Sequence, residues 1–279
     1  MTIDQEPIPS EIRALAQAMA KRFWKNIERE KLDDPEASPQ TTAQVLEKRV
    51  ATTTGMIEMA LVNPSQIPAV ALDFTRYTMV ELIMDSQPKE VLPMQQPLSQ
   101  KDKKTLGNLV AQSIPPEAAL RSFRKSLKLM EAAKTMAKTR GLKPVQIFEN
   151  DEHYAALIRA NFTPTDYVKS KMEEYADVAA RMIPAVESFM MIKLKGQPEQ
   201  DERTQASVRD AKSFGAMLMV VSQAREYKSL VDDIIFYWGE TGPTQLSPAV
   251  KTNILAYSKY LPDRENDLAT KLFGKQLTR

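Results

Sequence analysis

The chain of 279 residues contains no cysteine, one histidine (His153) and only eight glycines. Without thiols there is no disulfide, thiolate metal site, iron–sulfur cluster or cysteine nucleophile. A single imidazole excludes multi-histidine metal centres and repeated Glu-x-x-His di-iron arrangements. A Ser-His-Asp triad would need that histidine together with a Gly-x-Ser-x-Gly elbow, which the sequence does not contain. The glycines are isolated apart from Gly239 and Gly242, so neither a phosphate-cradling loop nor a dinucleotide fingerprint can be written. No metal, no cofactor and no enzymatic activity are therefore expected.

Long apolar runs are missing too. The longest lies around Phe214 to Val221, well short of the roughly 20 residues that cross a bilayer, and no membrane span is expected. The opening MTIDQEPIPS carries acids and no apolar core, unlike a secretory leader. The expectation is a cytoplasmic protein.

What is abundant is proline, 18 in all. Most stand beside Ser, Thr, Asn or another Pro between segments of helical periodicity, where they punctuate helices. Ser10, Thr163 before Pro164 and Ser247 before Pro248 have the character of N-caps. With no alternating strand pattern and no internal repeat, the fold class expected is all-α, a multi-helix bundle of about nine or ten helices.

A first helix is expected from Ser10 to Lys31, with Ile12, Leu15, Met19, Phe23 and Ile27 along one face. A second spans 41–62, holding Val45, Met56 and Met59 around a β-branched run, and a third spans 68–85. Residues 88–98, rich in proline, are expected to link an N-terminal lobe (1–87) to a C-terminal lobe (99–279). A capping-box variant, Ser99 with Asp102, opens a short helix through Ala111. A helix over 116–140 starts at Pro115-Pro116-Glu117 and stops at Gly141 with Pro144 beyond. Helices are expected at 145–160, at 163–193 with a kink at Pro184, at 206–238 as the most apolar and central one, and at 247–260 and 263–273.

The formal net charge is only +2, yet 101–145 holds eleven basic residues against three acidic ones. A concentrated positive field on a near-neutral chain favours a polyanionic partner. The cations are Lys101, Lys103, Lys104, Arg121, Arg124, Lys125, Lys128, Lys134, Lys138, Arg140 and Lys143. At 100° per residue, Phe123, Leu127 and Met130 point one way while Arg121, Arg124, Lys125 and Lys128 point roughly the opposite way. Such a helix can dock its apolar side and offer four cations to a phosphate backbone. The competing meaning of such a face is solvation alone, with cations snorkelling from an amphipathic surface.

Other candidates carry less. Glu149, Asp151 and Glu152 beside His153 have the character of an acidic helix start more than of a cation site. Asp232 and Asp233 are paired like the magnesium-holding carboxylates of helical isoprenoid enzymes, but Phe236 stands where the third acid belongs. They are expected to form a polar helix edge. Fifteen methionines suit irregular cores and adaptable surfaces alike. Trp24 and Trp238 are expected in the core more than at an interface.

The expectation for function is a non-catalytic, self-associating helical protein that binds RNA or single-stranded DNA through the basic segment, by analogy of architecture with nucleocapsid or coat-type proteins. The alternative is a helical scaffold or adaptor whose partner is another protein.

Overall fold

The computed structural model describes residues 8–32, 41–85, 99–173, 184–185, 188–189 and 230–252. The protein is all-α, and no strand occurs among the described residues. Seven helices are delimited there: α1 (Ser10–Leu32), α2 (Ala43–Val62), α3 (Ile67–Asp85), α4 (Gln100–Ser113), α5 (Pro116–Arg140), α6 (Pro144–Glu149) and α7 (Asp151–Asn161). Further helical runs cover 164–173, 230–238 and 248–252. No described helix is long and apolar enough to cross a membrane. The expected linker 88–98, the helix expected at 263–273 and most of that at 206–238 lie outside the described residues.

The helix ends follow local chemistry. Ser99 Oγ accepts the Asp102 N–H at 3.2 Å and donates to the Asp102 carboxylate at 2.8 Å. Thr163 and Asp166 repeat the device at 3.1 and 2.7 Å, and Ser247 Oγ accepts the Val250 N–H. Ser10 departs from expectation. It already lies inside α1, whose first N–H groups, from Ile12 and Arg13, bond the Pro9 carbonyl. α5 ends at Gly141, whose φ of 67° is the left-handed conformation that a Cβ disfavours. The Leu142 N–H then returns to the Ala137 carbonyl at 2.9 Å.

The single helix expected at 145–160 is two. Asn150 is extended, its side-chain oxygen accepts the His153 N–H at 3.0 Å, and α7 starts anew from it. Apolar periodicity continues through the break, whereas the capping chemistry of Asn150, Asp151 and Glu152 interrupts the backbone.

Two compact units make up the chain: Met1–Thr78 with Pro115–Leu157, and Met79–Ile114 with Ile158–Arg279. In the first, α1 packs on α2 and α6, and α6 packs on α5. α1 is buried around most of its girth through Leu15, Ala16, Ala18, Met19, Ala20 and Trp24. The rings of Phe23, Phe74 and Phe123 follow one another edge to face at 5.3 and 5.5 Å, each such pair adding about 0.5–1.5 kcal/mol beyond burial.

α2 turns inward a face about 95° round the helix from the one centred on Val45, Met56 and Met59. Val45 and Met59 are exposed, and Arg49, Val50, Thr53, Ile57 and Ala60 are buried. The polar members are satisfied where they lie. Thr53 Oγ1 donates to the Arg49 carbonyl at 2.8 Å and lies 3.3 Å from the donating Trp24 Nε1. The Arg49 guanidinium sits 5.1 Å from the Trp24 ring centre.

In the second unit, Leu106 and Val110 of α4 cluster with Ile83, Ala185 and Phe189. A separate aromatic group gathers Phe162, Tyr167, Tyr237 and Trp238. Asp233 is buried there and accepts the Tyr167 hydroxyl at 2.5 Å. It is a core anchor and not the polar helix edge expected for Asp232 and Asp233. The 230–238 run stops at Gly239 (φ 73°), and at Gly242 a Cβ would come within 2.9 Å of the Ile234 carbonyl oxygen, so only glycine fits.

Candidate nucleic-acid interface

α5 buries Ala119, Phe123, Met130, Ala133 and Ala137. These positions centre on a direction about 180° from that of Arg121, Arg124, Lys125 and Lys128. Arg121, Arg124 and Lys128 are exposed and Lys125 is half-buried. The four cations cover about 10 Å along the helix axis. No helix breaker lies between Pro116 and Arg140, and alanine or straight-chain residues fill most of the sequence, so propensity and packing agree on one continuous helix.

Further along, Lys134 and Lys138 are exposed but lie back toward the apolar side, about 130° and 90° round the helix from that face, and Lys134 pairs with Glu131 at 2.8 Å. Arg140 and Lys143 are exposed at the helix C-terminus, where cations are favoured by the macrodipole. Among the described residues no carboxylate pairs with Arg124, Lys128, Lys138, Arg140 or Lys143.

The remaining three cations belong to α4, in the other unit. Lys101 and Lys104 are exposed. Lys103 is buried at 8% exposure, and its ammonium donates to the Met84 carbonyl at 3.3 Å. Its place was legible in spacing, since Lys103 precedes Leu106 and Val110 by three and seven positions and shares their buried face.

Arg22 and Arg49, outside the basic segment, are buried and structural. Arg22 on α1 is 3% exposed. Its Nε donates to the Phe148 carbonyl at 2.6 Å, its Nη1 to Asp151 at 2.5 Å, and its guanidinium lies 4.6 Å from the Tyr154 ring centre. Lys25 adds a second cation to Asp151 at 2.8 Å. Burial pushes the Asp151 carboxyl upward, but the hydrogen bonds from Lys25 and Arg22, with their charges, outweigh it and hold it below its usual range. Asp151 is thus engaged with cations of its own chain. No group of three or more His, Asp or Glu placed to hold a metal ion exists among the described residues.

No known protein family, curated protein or solved structure matches this chain.

Proposed function

We propose that the protein is a non-catalytic binder of RNA or single-stranded DNA, gripping the phosphate backbone with Arg121, Arg124, Lys125 and Lys128 of α5. The observation that carries this reading is the separation of the helix into a buried apolar stripe and an opposed cationic face, on which Arg124 and Lys128 have no carboxylate partner among the described residues. A cationic face needed only for solubility would gain from interspersed acids, yet Glu131 is the one acid between Arg121 and Lys143. α5 carries no exposed aromatic ring, so the mode of binding is contact with phosphates and not base stacking.

Anisotropy titration of a labelled single-stranded RNA over a salt series tests it. Four neutralised phosphates give a slope of log K against log salt of about −3. Arg124→Glu with Lys128→Glu removes two of them and lowers affinity at 0.1 M salt at least about 25-fold. Absent or salt-insensitive binding overturns the proposal.

A second reading, a scaffold for a protein partner, is favoured by the apolar side chains that α2 leaves exposed, Met59 at 54% and Val62 at 51%. Under that reading the α5 double reversal leaves partner binding intact and Met59→Asp abolishes it.

A further inference from the structure

α2 buries Arg49, Val50, Thr53, Ile57 and Ala60, and a second stripe turns away from them. Val45, Lys48, Thr52, Gly55, Met59 and Val62 recur at alternating intervals of three and four, the heptad spacing with which one helix meets another, and they centre about 140° round the helix from the buried set. Val45, Lys48, Gly55, Met59 and Val62 are exposed, Met59 at 54% and Val62 at 51%. Thr52 is half-buried, and its hydroxyl donates to the Lys48 carbonyl at 2.9 Å, so its polar atom is satisfied within its own helix. Gly55 is the anomaly. A glycine inside a helix is less stable than alanine, and the fold does not require one here, because its φ is not positive and a Cβ would meet no atom within 4 Å. The space it leaves is open to a close approach from outside.

We propose that this stripe docks on the same stripe of a second copy of the chain, the two α2 helices running antiparallel about a two-fold axis between residues 53 and 54. The pattern is complementary to its own reverse. Val45 falls opposite Val62 of the second copy, Lys48 opposite its Met59 and Thr52 opposite its Gly55, so a β-branched side chain fills the space beside the glycine. Charge agrees with this direction. α2 has no basic residue in its own last turn, and the antiparallel pairing brings Lys48 of each copy to the last turn of the other, where the helix macrodipole favours a cation and the alkyl stem covers Met59. A parallel pairing would set Lys48 against Lys48. The stripe is about 26 Å long, a contact at the small end of specific interfaces, so the dimer is reversible. It is independent of phosphate binding by α5.

Sedimentation velocity of the full chain tests this. Wild type passes from monomer to dimer between about 1 and 100 µM. Gly55→Glu, whose side chain meets nothing in its own fold, places a charge in the seam and stays monomeric through that range with the circular dichroism of wild type. Lys48→Glu sets a carboxylate at the helix C-terminus of the second copy and weakens dimerisation about tenfold. Direction and register are read from cross-linking, which the absence of native cysteine leaves free of background. Val45→Cys mixed with a tagged Val62→Cys gives an oxidised heterodimer. Neither variant links to itself, because in the antiparallel pair like residues at those positions lie about 25 Å apart, beyond the reach of a disulfide. Self-linking of Val45→Cys, or dimerisation of Gly55→Glu as strong as that of wild type, overturns the proposal. So does a wild type that remains monomeric, which would leave the stripe to an unlike protein.

Discussion

The cationic face of α5 and two arginines of α1 and α2, Arg22 and Arg49, are the same kinds of side chain in one compact unit, with opposite fates. Arg124 and Lys128 stand opposite a buried apolar stripe and reach solvent, whereas Arg22 and Arg49 occupy the buried faces of their helices. Each buried guanidinium meets waiting partners: a peptide carbonyl, a carboxylate and a tyrosine ring for Arg22, a tryptophan ring and the Thr41 hydroxyl for Arg49. The contrast teaches that positive charge in a sequence becomes available charge only where the helix turns it away from acceptors. Regional charge counts overstate an electrostatic surface wherever such acceptors exist.

Substitutions can break this contrast. The largest effect belongs to Arg22→Ala, which leaves the Phe148 carbonyl without its charged donor and removes one of the two cations on Asp151. Urea unfolding is expected to show a loss of about 2–3 kcal/mol. Gly141→Ala forces a Cβ into the left-handed conformation that closes α5 and costs about 1–2 kcal/mol, read as a lowered thermal midpoint.

A smaller effect appears with pH. The folded-state value of Asp151 lies below the 3.8 of an unperturbed carboxyl. Its contribution is therefore fully present above that pH and disappears as the pH falls through the folded value. Asp151→Asn should abolish that part of the acid dependence, and equal slopes in wild type and variant below pH 4 would contradict it. The effect stays modest because the carboxylate is 46% exposed. Smallest of all is the change in stability on Arg124→Glu with Lys128→Glu, expected within about 0.5 kcal/mol. A large loss there would mean that these cations support the fold, and the contrast with Arg22 would vanish.

Much of the architecture was legible because punctuation is local. Pro115-Pro116 and Gly141 delimit α5 at the residues expected, since ring closure and a positive φ act on the backbone at one position. Facing was legible where hydropathy alone decides it, as with Phe123 and Met130. It was not legible in α2, where Thr53 and Arg49 displace Val45 and Met59 from the interior. Their burial depends on Trp24, more than twenty residues away in the chain, and no periodicity within one helix encodes that neighbour. The same limit applied to Asp233, whose burial is made possible by Tyr167. For the candidate site, the outward set on α5 could be read from spacing, while the burial of Lys103 was present in the same spacing and obscured by its charge.

The interruption at Asn150 has a consequence beyond dividing one helix into two. In an unbroken helix the Phe148 carbonyl would point along the axis toward the amide four residues ahead. At the broken winding that oxygen accepts from Arg22, and Asp151, the first residue beyond Asn150, receives the other arm of the same guanidinium. The discontinuity and the internal arginine are two halves of a single joint. Any change that mended the ribbon across residue 150 would strand a charge in the interior, so the imperfection in α6 and α7 protects the seat of α1.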